Sequence, residues 1–227
     1  MGPETSSPPS QPPTGLARSL ADAGWFQVLD DILGGFGHDL NGRVASFEGL
    51  IMLVELDEPG EETPVLPYLQ TETGRLSEIV RTFRGLQGDI DGDPEAMWPP
   101  DAVAHVGGLH RRHRGLDRVT TESQVAEGLP PIRVNPSRLA RTLLIVLSRA
   151  GRAAVEADVT TVTLGVREEM ERVLFEVAWA DAPADQGWDP GALEPLNHIA
   201  QADGGVVEST ADGGVRVSFP AMTRPGG

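Results

Sequence analysis

Apolar and polar positions alternate along the first third of the chain in a way that predicts helices. Leu29, Leu33, Phe36, Leu40, Val44, Phe47, Ile51 and Val54 recur at steps of three and four, which places them on one helical face. Leu16 to about Leu56 therefore reads as one long helix, with Ala23-Gly24 and Gly34-Gly35 as candidate breaks. Asp57 to Glu62 reads as a turn, and Thr63-Pro64 as an N-cap followed by proline in the first helical position. Leu66, Leu69, Thr73, Leu76, Val80, Phe83 and Ile90 carry the same rhythm into a second helix ending near Gly88. Two helices joined by a short loop form an antiparallel hairpin. Five glycines between Gly34 and Gly49 oppose the first helix, each by about 1 kcal/mol relative to alanine. Its stripe must pack on something, and two hairpins closing into a four-helix bundle would cover both stripes. A homodimer is expected.

The remainder predicts an α/β domain. Ala102 to Arg114 reads as helix, and Leu116–Thr121 and Pro131–Val134 as short strands. Asn135-Pro136-Ser137 starts a helix from Arg138 to about Val155. Thr160–Val166 and Val173–Trp179 alternate like paired strands around the charged turn Arg167–Arg172. Leu196–Ala202 is a helix stopped by Gly204-Gly205, and Val206–Thr210 and Val215–Phe219 form a hairpin. The organisation expected is a disordered tail over 1–15, a helical hairpin over 16–92 and the α/β domain over 93–223. The fold class is α+β.

His38 is the main chemical candidate. At about 100° per residue it projects almost opposite the centre of the first stripe, beside the small residues Gly42, Ala45 and Gly49. A packing histidine should not point there, whereas one offered to a partner should. Other clusters carry less. Asp89, Asp91, Asp93 and Glu95 faintly suggest a calcium loop, but Pro94 stands where glycine is wanted and no glutamate closes it. That segment reads as a solvated acidic linker. His105, His110 and His113 lie among Arg111, Arg112 and Arg114. The pair His110 and His113 lacks a third metal ligand, so the stretch reads as a basic solvated helix able to dock an acidic partner or the other domain. No metal site is expected. Trp98, Trp179 and Trp188 read as core or domain-contact residues.

Composition narrows the partners. The 227 residues carry a formal net charge of −16, which argues against nucleic acid or anionic lipid as a partner. There is no cysteine, which fits a reducing cytoplasm. No stretch is long and apolar enough to cross a bilayer, and Met1–Gly15 lacks the pattern of a signal peptide. A cytoplasmic protein is expected.

Three motifs together resemble the core of bacterial sensor histidine kinases. His38-Asp39-Leu40-Asn41 looks like the phosphoacceptor motif of the dimerisation helix. Val134-Asn135-Pro136-Ser137-Arg138-Leu139 is similar to the entry to the first helix of the ATPase domain. The run from His198 to Ser209, with Gly204-Gly205, then Gly214 and Val217-Ser218-Phe219-Pro220, is similar to that domain's last helix and final strands. The resemblance implies an α/β sandwich like the kinase ATPase domain after the hairpin. It also exposes departures. The family's metal-ligating asparagine is missing from Leu143 to Ala154. Where an Asp-x-Gly-x-Gly motif is expected, the chain reads Asp181-Ala182-Pro183-Ala184-Asp185. Asp181 is a weak candidate for the adenine-reading acid, but proline fixes φ and lacks an N–H. The connection Gln186-Gly187-Trp188 to Pro190-Gly191 is too short for a lid over the phosphates. Phosphoryl transfer from ATP depends on positioning and metal-assisted charge stabilisation, so no useful ATP binding and no cofactor of its own are expected.

What the resemblance implies instead is a histidine phosphotransferase of a two-component phosphorelay. A neutral imidazole is nucleophilic near neutral pH, and the phosphoaspartate of a receiver domain is its expected donor, in a response regulator or a hybrid kinase. The receiver would supply Mg²⁺. Asp39 would orient the ring, and Asn41 and Arg43 would contact phosphoryl oxygens or the partner. Gly42 occupies the position where kinases carry the residue that directs water for dephosphorylation. The alternatives are an ATP-dependent kinase with an atypical pocket and a non-enzymatic dimeric adaptor.

Overall fold

Both apolar rhythms become helices, α1 (Thr14–Leu56) and α2 (Val65–Arg84), in a computed structural model that describes residues 14–56, 65–84, 86, 88–180, 188 and 190–223. The expected turn after α1, the Thr63-Pro64 cap and the 1–13 part of the expected tail lie outside those residues. α1 runs unbroken through both candidate breaks, Ala23-Gly24 and Gly34-Gly35. The two helices are antiparallel: Phe36 meets Phe83 edge to face at 5.5 Å, and Arg43 donates to Glu72 at 2.7 Å.

The stripe that buries α1 differs from the one expected. Ala17, Ala21, Trp25, Val28, Ile32 and Phe36 are buried, whereas Leu33, Leu40, Val44, Ile51 and Val54 are exposed. The cause is tertiary. The N-terminal half of α1 packs against α4 (Pro136–Glu156) and α5 (Pro190–Gln201), on a face about one residue's rotation from the expected one. Trp25, Val28, Ile32 and Phe36 join one apolar core with the second domain. α1 is thus one rod shared by two structures.

The second domain is two-layered, as helices on one face of a sheet should be. β1 (Glu95–Met97) and β3 (Ile132–Val134) pair antiparallel as a small ribbon. β1 falls within a segment expected to be linker. The main sheet has the order β2-β4-β5-β7-β6. β2 (Thr120–Val125) runs parallel to β4 (Thr161–Glu169); β5 (Arg172–Trp179), β7 (Val215–Pro220) and β6 (Val206–Ser209) pair antiparallel in turn. Alternation in β4 buries Val162, Leu164 and Val166 against the helices. β4 and β5 extend past the expected turn, which shrinks to Met170-Glu171.

Helix ends follow local chemistry. Asn135 caps α4 by accepting from the Ser137 and Arg138 amides, both at 2.9 Å, as its side chain should. Its amide group donates to the Asp89 and Gly92 carbonyls. Arg138 grips Asp203 through two nitrogens at 2.9 and 2.7 Å and donates to the Ile90 carbonyl. The acidic linker is therefore strapped onto the start of α4, and among the described residues no cluster of His, Asp and Glu could hold a metal. α5 ends where Gly204, at φ 72°, turns the chain back, the conformation glycine adopts most easily.

Trp98 is 56% exposed and stands just before α3 (Pro99–His110), outside the core expected for it. Trp179 and Trp188 pack against the core.

Candidate functional site

α1 leaves the second domain just before His38. The contact at Gly35 is unusually close. The backbone at Gly35 lies against the Arg112 carbonyl so tightly that any side chain would overlap it. One turn earlier, the Arg114 amide donates to the Asp31 carbonyl at 3.1 Å. These contacts fix the loop after α3 (111–114) to α1.

Beyond them, the imidazole of His38 stands in solvent, its side chain 91% exposed. It lines a cleft of about 620 Å³ whose other walls are Asp39 and Asn41 on α1 and Arg111, Arg112, Arg114 and Asp117 on the loop side. Gly34, Gly35 and Gly37 form its floor. Asp39 lies between the two walls. One carboxylate oxygen is 4.0 Å from His38 Nδ1, beyond hydrogen-bond range, and the other is 3.3 Å from Arg112 Nε. Arg112 is itself held in place. It donates to the Gly108 carbonyl at 2.7 Å and stacks over Phe36 at 5.1 Å.

Of the residues singled out in the sequence, His38, Asp39 and Asn41 meet at this cleft. Gly42 lies one residue further, with open space where a side chain would be. Arg43 turns away from the cleft to Glu72, which also pairs with Arg75, so it locks the hairpin. Asp181 lies outside the described residues.

Sequence reasoning did not place the arginine wall at His38. All 18 basic residues of the chain are arginines, and three of them form this loop. That run is visible in the sequence, but its partner on α1 is remote along the chain. The same stretch contradicts the expected solvated helix in another respect: His110 and His113 are each only 3% exposed. Burial, helped by the neighbouring His113, holds the His110 pKa down at about 4. His110 Nδ1 bonds the Thr121 hydroxyl at 3.0 Å, while Nε2 is buried. His113 is also lowered by burial, against the opposing pull of Asp31, whose carboxylate lies 3.4 Å from its Nε2 and accepts from Arg152 at 2.7 Å. Both rings are therefore neutral packing groups behind the arginine wall. The signal was their spacing with Val103, Val106 and Leu109, the buried face of α3.

A second feature concerns α4, the helix that the resemblance sets at the nucleotide. Arg141 lies over the Trp25 ring of α1 at 4.9 Å. Arg149 donates to the Ala192 carbonyl of α5 and faces the Trp188 ring. Arg152 pairs with Asp31. Among the described residues, a pocket of about 120 Å³ lies beside α1, α4 and α5, lined by Ala21, Asp91, Arg138, Arg141 and His198 among others.

Neither a family model nor a curated protein matches the sequence. Solved structures do. The Acinetobacter baumannii histidine kinase AdeS matches at TM-score 0.42 and 14% identity over 82% of this chain and 98% of its own. The full-length ShkA structure with AMPPNP matches at 0.45 and 16%, over 86% of this chain and 47% of its own. Histidine kinase ThkA, solved with the response regulator TrrA, matches at 0.43 and 13%, over 93% and 68%. In layout, the chain is similar to sensor histidine kinases. The likeness concerns the arrangement of elements; the chemistry rests on the side chains described above. None of the described helices is long and apolar enough to cross a membrane.

Proposed function

We propose that the protein is a histidine-containing phosphotransfer protein of two-component signalling, which takes a phosphoryl group from a receiver-domain aspartate onto His38 and passes it to another. The observation that carries this is the His38 side chain, 91% exposed at the mouth of an open cleft on an unbroken helix. A nucleophile offered to a macromolecular partner needs that access. The partner would bring the Mg²⁺ and the acidic pocket, so this chain needs only the imidazole and a docking face. The exposed residues Val44, Ile51 and Val54 of α1, with Leu66 and Val80 of α2, support a dimer built by pairing hairpins.

The test is incubation of the purified protein with phosphorylated receiver domains. Label should pass to the wild type and be absent from His38→Gln. Equal labelling of both would remove His38 from the reaction. No labelling of either favours the adaptor. Labelling from ATP and Mg²⁺ alone, with saturable nucleotide binding by calorimetry, favours a kinase.

A further inference from the structure

We infer that Arg111 and Arg114 form the anion-binding wall of the His38 cleft and contact the oxygens of the phosphoryl group in transit, an inference that rests on phosphotransfer at His38.

The argument starts from charge. The chain has 34 acidic residues against 18 basic ones, so an arginine has many potential partners. Arg18, Arg43, Arg75, Arg112, Arg138, Arg152, Arg167 and Arg216 all form ion pairs. Arg81, Arg84, Arg111, Arg114, Arg118, Arg133, Arg141, Arg149 and Arg172 form none among the described residues, and of these only Arg111 and Arg114 line the cleft that holds His38. Two unpaired guanidiniums facing a nucleophile on a strongly acidic protein are suited to an anion that arrives with a partner. Their forked donors match phosphoryl oxygens two at a time.

The surrounding structure makes the wall stiff. Arg112, between them in sequence, has a side chain only 12% exposed. It is fixed by Phe36, Gly108 and Asp39, and the loop backbone is fixed by Asp31 and Gly35. Asp39 lies on the Nδ1 side of the ring, which leaves Nε2 for the acceptor role. In the step itself, the Nε2 lone pair attacks phosphorus and an N–P bond forms. The P–O bond to the aspartyl carboxylate breaks, and its electron pair leaves on the carboxylate. Nδ1 keeps its proton. The phosphoryl oxygens carry negative charge throughout, and the two guanidiniums lie where they can hold it. The cleft's 620 Å³ leaves room for the tip of a receiver loop as well as the group.

Two measurements on the full chain test this separately from phosphotransfer. The first is titration with inorganic phosphate, followed by NMR at the His38 ring and the Gly37 amide. Wild type should show saturable shifts in the millimolar range. His38→Gln should keep the Gly37 response. The Arg111→Gln/Arg114→Gln double variant should bind at least tenfold more weakly, while Arg84→Gln/Arg133→Gln, which removes the same charge from exposed sites elsewhere, should match wild type. The second is the rate of phosphohistidine formation from a phosphorylated receiver, expected to fall at least tenfold in the cleft double variant alone. The inference is overturned if wild type shows no saturable response, if the cleft variant binds within twofold of wild type, or if its transfer rate is within twofold. If phosphate binding depends on the two arginines but wild type never becomes phosphorylated, the anion wall stands and the transfer reading fails.

Discussion

The two halves of α1 share one backbone and face different worlds. Up to Phe36 the helix is part of the α/β domain. Small Ala17 and Ala21 are followed by bulky Trp25, Val28 and Ile32, and all are buried. Beyond His38, Asp39 meets Arg112 and Arg43 pairs with Glu72 of α2, while Val44, Ile51 and Val54 stand in solvent. The first half has found its apolar partner within the chain; the second has apolar surface still to cover. A long helix is therefore no evidence of one packing environment, and His38 sits at the change from one to the other.

The largest effect should come from cutting into the first half. Ile32→Ala, at a fully buried position, should lower stability by about 2–5 kcal/mol in denaturant melts. A loss near that of a surface change would separate this half from the core. Acid should act on the same junction. His110 resists protonation in the folded chain, with its pKa near 4, but takes a proton near 6.5 when unfolded. Its effect is absent above that value. Stability then falls as pH drops from about 6.5 towards 4, by on the order of 3 kcal/mol in total. His113 beside it is also lowered by burial, so the decisive comparison is the pH profile of His110→Gln, which should be flatter in that window.

Two glycine changes sharpen the boundary because their signs should differ. Gly35→Ala forces α1 off the Arg112 carbonyl and should destabilise by about 1–3 kcal/mol. Gly37→Ala meets no atom within 4 Å and should stabilise by about 1 kcal/mol through helix propensity. Thermal melts of both read the difference, and equal signs would refute the close approach. The smallest effect on stability belongs to Ile51→Glu, within about 0.5 kcal/mol for the monomer. If the hairpins pair as proposed, sedimentation should nonetheless show a smaller mass than wild type. An unchanged mass would remove this face from the interface.

Much of the architecture was legible because it is locally encoded. Asn135-Pro136 announces α4, and the apolar alternation of β4 and β5 announces the sheet. His38 was legible as an exposed position because helical phase alone sets it opposite the stripe. What failed depended on distant partners. The face buried by α1 is chosen by α4 and α5, and Ile32 differs from Leu33 by only one residue of rotation. β1 is too short to show a period among Gly, Pro and Asp. His110 and His113 looked solvated because arginines flank them, although their phase follows Val106 and Leu109. The arginine wall could not be joined to His38 without the fold that brings loop 111–114 to α1.

The rivet at Gly35 and Asp31 has a mechanical consequence. The imidazole stands within one turn of the contact that holds the loop bearing the guanidiniums, so a bend or twist of the outer helix length near that contact would change the distance between them. Strain reaching the outer helices would then open or narrow the cleft itself.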